Sequence, residues 1–239
     1  MAEHELPARP AAMLFDVFGT VVDWRGSVSK EVARLARAHR VRVDADAFAD
    51  AWRAGYRPAK DRVRRDEVPW QPLDQLHRQM LPGLLSRFGL DLDSGELASL
   101  NRVWHRLTPW RDARAGLRRL KRGCLIGTLS NGNMALLIDL SKAARLPWDC
   151  IFSAELFRHY KPDPEVYLGA ASLLGLRPAE VMLVAAHKDD LEAARRCGLQ
   201  TAYVHRPLEF GEPTVESESD PRSTLNAGDF ADLADQLGL

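Results

Sequence analysis

"AAMLFDVFGT", residues 11–20, is an apolar run that stops at one acid, Asp16, with Phe18, Gly19 and Thr20 in the turn beyond it. Both alternating faces of the run are apolar, the pattern of a strand covered on two sides in a parallel sheet. Four later runs repeat it: "CLIGTLS" at 124–130, "CIFSAE" at 150–155, "VMLVAA" at 181–186 and "TAYVHR" at 201–206. Between them lie "NMALLIDLSKAARL", "PEVYLGAASLLGL" and "DDLEAARRCGL", with apolar residues at helical spacing. Two of these end where Gly175 and Gly198 suit the left-handed position that closes a helix. Strand and helix in alternation predict an α/β fold with a doubly wound, mostly parallel sheet.

One interval breaks the alternation. From about Trp24 to Asp112 the chain shows helical stretches ("SVSKEVARLARAH", "ADAFADAWRAGY", "LDQLHRQMLPGLLSRFG", "SGELASLNRVWHRL") and no convincing strand. So long a stretch between the first two strands predicts an inserted helical subdomain. The expected division is a core from 1–23 and 112–239, with the insertion at 24–111. "PLEFGEPTVESESDPRSTLNAGD" is rich in Pro, Gly, Ser and acids and reads as an exposed loop before a last short helix, "DFADLADQLGL".

A length of 239 residues suits one core domain with an insertion. Hydrophobic residues make up 46% and charged residues 28%, and 33 acids balance 33 Lys and Arg, so whole-molecule charge points to neither nucleic acid nor membrane. "RPAKDRVRRDE" is basic but carries acids too, and reads as a solvated helix face. Cys124, Cys150 and Cys197 are scattered and odd in number, which fits free thiols in a reducing compartment. No apolar stretch approaches the roughly 20 residues needed to span a bilayer. "MAEHELPARP" has neither a basic start nor an apolar centre, so it reads as a frayed arm and not a signal peptide. A cytoplasmic protein is expected.

In open α/β sheets ligands sit beyond the carboxyl ends of the strands. That rim collects Asp16, then Ser130-Asn131-Gly132, then Lys161 of "YKPDP", then His187, Asp189 and Asp190. A carboxylate in a partly dry site with a lysine beside it is a competent nucleophile, and the lysine keeps it ionised. Thr20, Ser130 and backbone N–H groups of the turns can hold an anion. Asp190 is placed to orient Lys161 or a water. Taken singly, each has an ordinary reading: Ser130-Asn131-Gly132 as a turn, Lys161 as a surface lysine, and Asp189 or Asp190 as a helix cap or dipole partner.

In order and at strand ends, these residues resemble the haloacid dehalogenase superfamily over nearly the whole chain. "FDVFGTVVD" looks like its first motif with Asp16 as nucleophile, "LSNG" like the second with Ser130, "YKPDPEVY" like the third with Lys161, and "VMLVAAHKDDLEAARRCGL" like the fourth with Asp190. The inserted helices match its cap, and the resemblance implies a Rossmann-like core. Magnesium-dependent phosphatases of the superfamily carry a second acid where this chain has Phe18, and another where it has Ala186. Mg²⁺ depends on oxygen ligands, so the resemblance implies a site with no metal and no cofactor. It is similar instead to the type II 2-haloacid dehalogenases, where an aromatic stands two residues after the nucleophile.

That subgroup's cap supplies an Arg in a Trp-Arg pair, matched by Arg53 of "DAWRAGY"; Asn131 matches its halide-binding amide and Tyr167 a tyrosine lining its pocket. The implied reaction has two steps. Asp16 displaces halide from C2 of a short 2-haloalkanoate to form an ester, with Arg53 and Asn131 receiving the halide and Ser130, Lys161 and turn N–H groups holding the carboxylate. Water, oriented by Asp190 with Lys161, then releases the 2-hydroxy acid. Many dehalogenases have Ser-Ser-Asn where this chain has Ala185-Ala186-His187. His187 stands open as a donor to leaving halide, an aid to water, or a satisfied structural histidine. A smaller, donor-rich halide pocket would extend the substrates to fluoroacetate. Relatives of this kind are often homodimers, and that expectation comes with the resemblance. Rival readings are a phosphatase with relaxed metal ligation and a non-catalytic binder of an acid metabolite.

Overall fold

A computed structural model of the chain describes residues 9–212 and 219–239. Six parallel strands form the main sheet: β1 (Ala12–Phe15), β4 (Leu125–Ser130), β5 (Cys150–Ser153), β6 (Val181–Ala185), β7 (Gln200–Val204) and β8 (Leu225–Ala227). Their order is β5-β4-β1-β6-β7-β8, so β1 lies at the centre between β4 and β6. Its four residues are fully buried, as the two-faced apolar run predicts. Each large side chain buried in this way contributes about 1.5–3 kcal/mol. The chain runs outward from β1 through β4 to β5, then crosses back to β6. That reversal opens a crevice beside the end of β1.

Helices α5 (Ala113–Leu120), α6 (Met134–Ala144), α7 (Ala154–Phe157), α8 (Pro164–Leu173), α9 (Lys188–Arg196) and α10 (Phe230–Gln236) cover the sheet. Gly175 and Gly198 follow α8 and α9 with φ of 66° and 84°, as expected of left-handed closing positions. Before α5 the chain forms α1 (Trp24–Ala38), α2 (Ala45–Arg64), α3 (Leu73–Phe88), α4 (Ser94–Asn101) and a 3₁₀ segment, Arg102–Arg106. Asp23, Asp44 and Asp93 cap α1, α2 and α4 through side-chain oxygens, and Asp93 and Glu96 form a reciprocal capping box. These helices pack over the carboxyl end of the sheet around Trp24, Trp52 and Trp104, all buried. Among the described residues, no helix is long and apolar enough to cross a membrane.

Three details depart from the sequence reading. The helical insertion is flanked by strand after all: β2 (Val22–Asp23) pairs antiparallel with β3 (Thr108–Pro109), two residues each and too short for a periodic signal. The 207–229 segment is not wholly an exposed loop. It contributes β8, which extends the sheet, and Glu209, only 3% exposed; residues 213–218 of it lie outside those described. The run 57–67 is only partly a solvated face, since Lys60 is buried and donates to the carbonyl of Lys161 at 2.9 Å. The "MAEHELPARP" arm falls almost entirely outside the described residues.

Candidate active site

Asp16 lies just past the end of β1, where a rigid central strand holds it; its backbone N–H still bonds to the Val184 carbonyl at 3.0 Å. The side chain is buried, and every polar contact to it is directed. Lys161 Nζ donates to Oδ1 at 3.1 Å. Thr20 Oγ1 donates to Oδ2 at 2.9 Å and itself accepts the Ala186 N–H at 3.0 Å. His187 Nδ1 stands 3.1 Å from the same Oδ2. Burial alone would raise the Asp16 pKa, but Lys161 and His187 outweigh it and hold the carboxyl well below the usual range. A buried carboxylate kept ionised, with its charge directed by three donors, has the character that nucleophilic chemistry requires.

Lys161 also pairs with Asp190 Oδ2, while Tyr167 donates its hydroxyl to Asp190 Oδ1 at 2.6 Å. Burial opposes the ammonium charge, yet the two aspartates raise the Lys161 pKa above its ordinary value. Asp190 moves upward, chiefly through burial. Both of its oxygens are therefore engaged, one by Lys161 and one by Tyr167. Asp190 thus contacts Lys161 directly and lines the cavity, and each of its oxygens keeps a second acceptor site beyond the bond it already makes. Asp189 and Asp190 stand in the first turn of α9, with His187 at the capping position, so the acids act there as dipole partners.

A cavity of about 480 Å³ opens over Asp16. Its walls bring together Phe18, Arg53, Asn131, Lys161, Tyr167, His187 and Asp190 from the sequence-derived set. Thr20 and Ser130 are fully buried and do not line it. Thr20 works from beneath, on Asp16; the Ser130 hydroxyl accepts the Gly132 N–H at 3.2 Å and stabilises the turn that carries Asn131. Both hydroxyls accept backbone N–H groups, Ala186 for Thr20 and Gly132 for Ser130.

Arg53 comes from α2. Its guanidinium lies 4.7 Å from the Tyr56 ring centroid and 5.6 Å from that of Trp24, a cation–π clamp. Among the described residues no carboxylate is paired with it. Asn131 donates to the Tyr56 hydroxyl at 2.7 Å and accepts the Lys161 N–H at 2.8 Å, leaving one amide N–H to spare. Phe18 packs edge-on against Trp104, 5.7 Å between centroids.

Sequence reasoning missed four participants: Tyr56, Lys60, Phe210 and Glu209. Tyr56 and Lys60 line the cavity from the same helix as Arg53, three and seven residues on, so helical spacing alone would have found them. Burial lowers the Lys60 pKa to about 8. Glu209 accepts His187 Nε2 at 3.0 and 3.1 Å on its two oxygens and Trp24 Nε1 at 3.0 Å. Gly19, with φ of 85°, makes room for it: a Cβ there would lie 2.1 Å from Glu209 Oε1.

The architecture and rim chemistry have counterparts among known proteins. The family model for haloacid dehalogenase-like hydrolases matches residues 10–198, and the chain belongs to that family. It is 30% identical to (S)-2-haloacid dehalogenase 4A of Burkholderia cepacia over 201 residues, 82% of this chain and 83% of that protein. Two solved structures superpose closely. The defluorinating L-2-haloacid dehalogenase Rha0230 gives a TM-score of 0.93 at 46% identity, covering 98% of this chain and all (100%) of the other. The L-2-haloacid dehalogenase PA0810 gives 0.92 at 49% identity, with coverage of 96% and 99%.

Proposed function

We propose that this protein hydrolyses short 2-haloalkanoates to 2-hydroxy acids and halide, through an ester on Asp16. The observation that carries this reading is Arg53, whose guanidinium has no carboxylate partner among the described residues and lines the same cavity as the ionised Asp16. A cation held ready opposite a nucleophile suits a reaction that expels an anion. Asp16 attacks C2 in line, Arg53 and the spare Asn131 N–H receive the halide, and Lys161 with the N–H groups of the 131–132 turn holds the substrate carboxylate. Thr20 and Ser130 support this machinery from beneath. Water then cleaves the ester at the Asp16 carbonyl. Residues 24–111 act as a cap over the core of 1–23 and 112–239, supplying Arg53 and closing the site to bulk water.

The chemistry needs no metal. The two places where a magnesium phosphatase carries further acids hold Phe18 and Ala186, neither of which offers a ligand or a proton for a leaving group. The similarity to a protein described as a defluorinating L-2-haloacid dehalogenase supports including fluoroacetate among the substrates. The protein is read as cytoplasmic and, by analogy with its relatives, a homodimer.

The test is halide release from fluoro-, chloro- and bromoacetate and from both 2-chloropropionate enantiomers, with and without EDTA. Chelator-insensitive release, favouring the S enantiomer, is expected. Asp16→Asn should lower it by on the order of 10⁴-fold or more. Magnesium-dependent phosphate release from phosphate esters, with no halide from any haloacid, would instead establish the phosphatase reading.

A further inference from the structure

His187 is clamped between two carboxylates, and only one of them survives the first chemical step. Its Nδ1 faces Asp16 Oδ2 and its Nε2 faces Glu209. Glu209 is buried, and among the described residues the imidazole is its one ion-pair partner. Burying an unpaired carboxylate is costly, so Glu209 fixes a proton on Nε2 and turns Nδ1 toward the nucleophile. Other charges face the pair from neighbouring elements. Lys161 and Asp190 lie across Asp16, Arg53 reaches in from α2, Asp23 stands at the end of β2, and Lys188 and Asp189 follow in α9.

In the resting enzyme, burial opposes charge on His187, but Glu209 and Asp16 together raise its pKa well above the ordinary value. Ester formation removes the Asp16 charge and so removes one of the two anions holding the imidazolium. Asp190 reaches Asp16 through the shared Lys161 ammonium, whereas His187 Nδ1 stands directly against Asp16 Oδ2 at 3.1 Å.

We propose that His187, oriented by Glu209, is the base that hydrolyses the ester, and that it sheds its Nδ1 proton when the ester forms. This rests on the dehalogenase reading above. The balance is complete. In the first step a C–halogen bond breaks, an Asp16 O–C2 bond forms, halide departs and His187 loses a proton to solvent. In the second, water adds its oxygen to the Asp16 carbonyl carbon and gives a proton to Nδ1. The bond between that carbon and the alkoxide oxygen then breaks. The alkoxide takes the Nδ1 proton, and the new Asp16 carboxyl returns its own proton to His187. One water is consumed, and one proton and one halide are released per turnover. His187 is catalytic in this scheme and Glu209 a positioning residue.

The experiment is rapid-quench kinetics on the full chain with chloroacetate, reading halide, indicator-detected protons and the mass of the Asp16 peptide. His187→Asn and Glu209→Gln should each release about one halide per site, then turn over at least about 100-fold more slowly than the parent. Their Asp16 peptide should carry the added acid. Glu209→Asp, which keeps the carboxylate, should recover at least about tenfold over Glu209→Gln. The halide burst of His187→Asn should bring no proton with it. Unchanged turnover, or equal slowing by Glu209→Asp and Glu209→Gln, would overturn the proposal. So would loss of the halide burst in folded Glu209→Gln, or a proton accompanying the burst in His187→Asn. No halide from the parent enzyme would instead sink the dehalogenase reading itself.

Discussion

The two oxygens of Asp16 face different worlds. Oδ1 meets Lys161, whose charge is locked between two aspartates and does not change near neutral pH. Oδ2 meets Thr20 and His187, and the imidazole leads on to Glu209 and Trp24. One flank is a fixed charge and the other a titratable one. In the proposed reaction the fixed flank keeps the nucleophile ionised and holds the substrate anion, and the titratable flank moves protons. On that reading, holding charge and transferring protons are divided between opposite sides of a single carboxylate.

Breaking the fixed flank should do the most damage. Lys161→Met leaves Asp16 and Asp190 as buried carboxylates with their shared cation gone. Removing one partner of a buried pair costs about 3–5 kcal/mol, which chemical denaturation at neutral pH would read directly. Halide release should fall by about 10²–10³-fold or more. Adding Asp190→Asn to Lys161→Met should restore part of the stability and none of the activity, because it relieves repulsion without replacing the cation. A smaller change touches the base of the titratable flank. Thr20→Val removes the 2.9 Å donor to Asp16 and strands the Ala186 N–H that the hydroxyl accepts. That N–H is only part-buried, so the loss should sit near the low end of the buried-donor range, about 1 kcal/mol in chemical denaturation.

The flanks should also differ in how their stabilisation depends on pH. His187 has a raised folded pKa, so its contribution is fully present below its unfolded pKa of about 6.5 and is lost as pH climbs through the folded value. Asp16 has a lowered one, so its contribution is present above about 3.9 and is lost as pH falls. The stability gap between the parent and His187→Asn should therefore narrow by at least about 1 kcal/mol from about pH 6 to about pH 9. The gap to Lys161→Met should stay nearly flat over that window. His105, raised by its contacts with Asp74 and Asp139 in spite of burial, titrates in all three proteins and cancels in the differences.

The fixed flank is the legible one. Asp16, Lys161 and Asp190 follow strands whose apolar runs are strong signals, so their convergence follows from topology. Arg53 and Tyr167 entered through resemblance to a family pattern, and the cavity includes both. Glu209 was invisible for a physical reason. It sits in a Pro-, Gly- and Ser-containing segment between exposed Leu208 and Phe210, where neither periodicity nor a strand end marks a buried acid. What buries it is tertiary: the Trp24 N–H, the His187 ring and the space left by Gly19. The β2–β3 pair was lost because two residues cannot show alternation, and β8 because three residues in a loop-like composition cannot either.

The smallest expected effect is also the most selective. Trp24→Phe keeps an aromatic ring against Trp104 and Phe210 but deletes the Nε1 donor to Glu209. One hydrogen bond to a charged group is worth about 1.5–3 kcal/mol when fully lost, and Glu209 retains its contacts to His187. Ester hydrolysis should therefore slow only a few-fold, by about 1 kcal/mol or less on the barrier, while the first halide leaves at nearly the parental rate, because the Phe ring still faces the Arg53 guanidinium. With its Trp24 donor gone, Glu209 keeps more of its charge for the imidazolium and should hold that proton more tightly. The pH profile of ester hydrolysis should then move upward by a few tenths of a unit, about 0.5 kcal/mol. A pure packing defect from the smaller ring would slow both steps and move no titration. An upward-shifted profile with intact halide release would therefore place Trp24 at the far end of the proton-transfer flank.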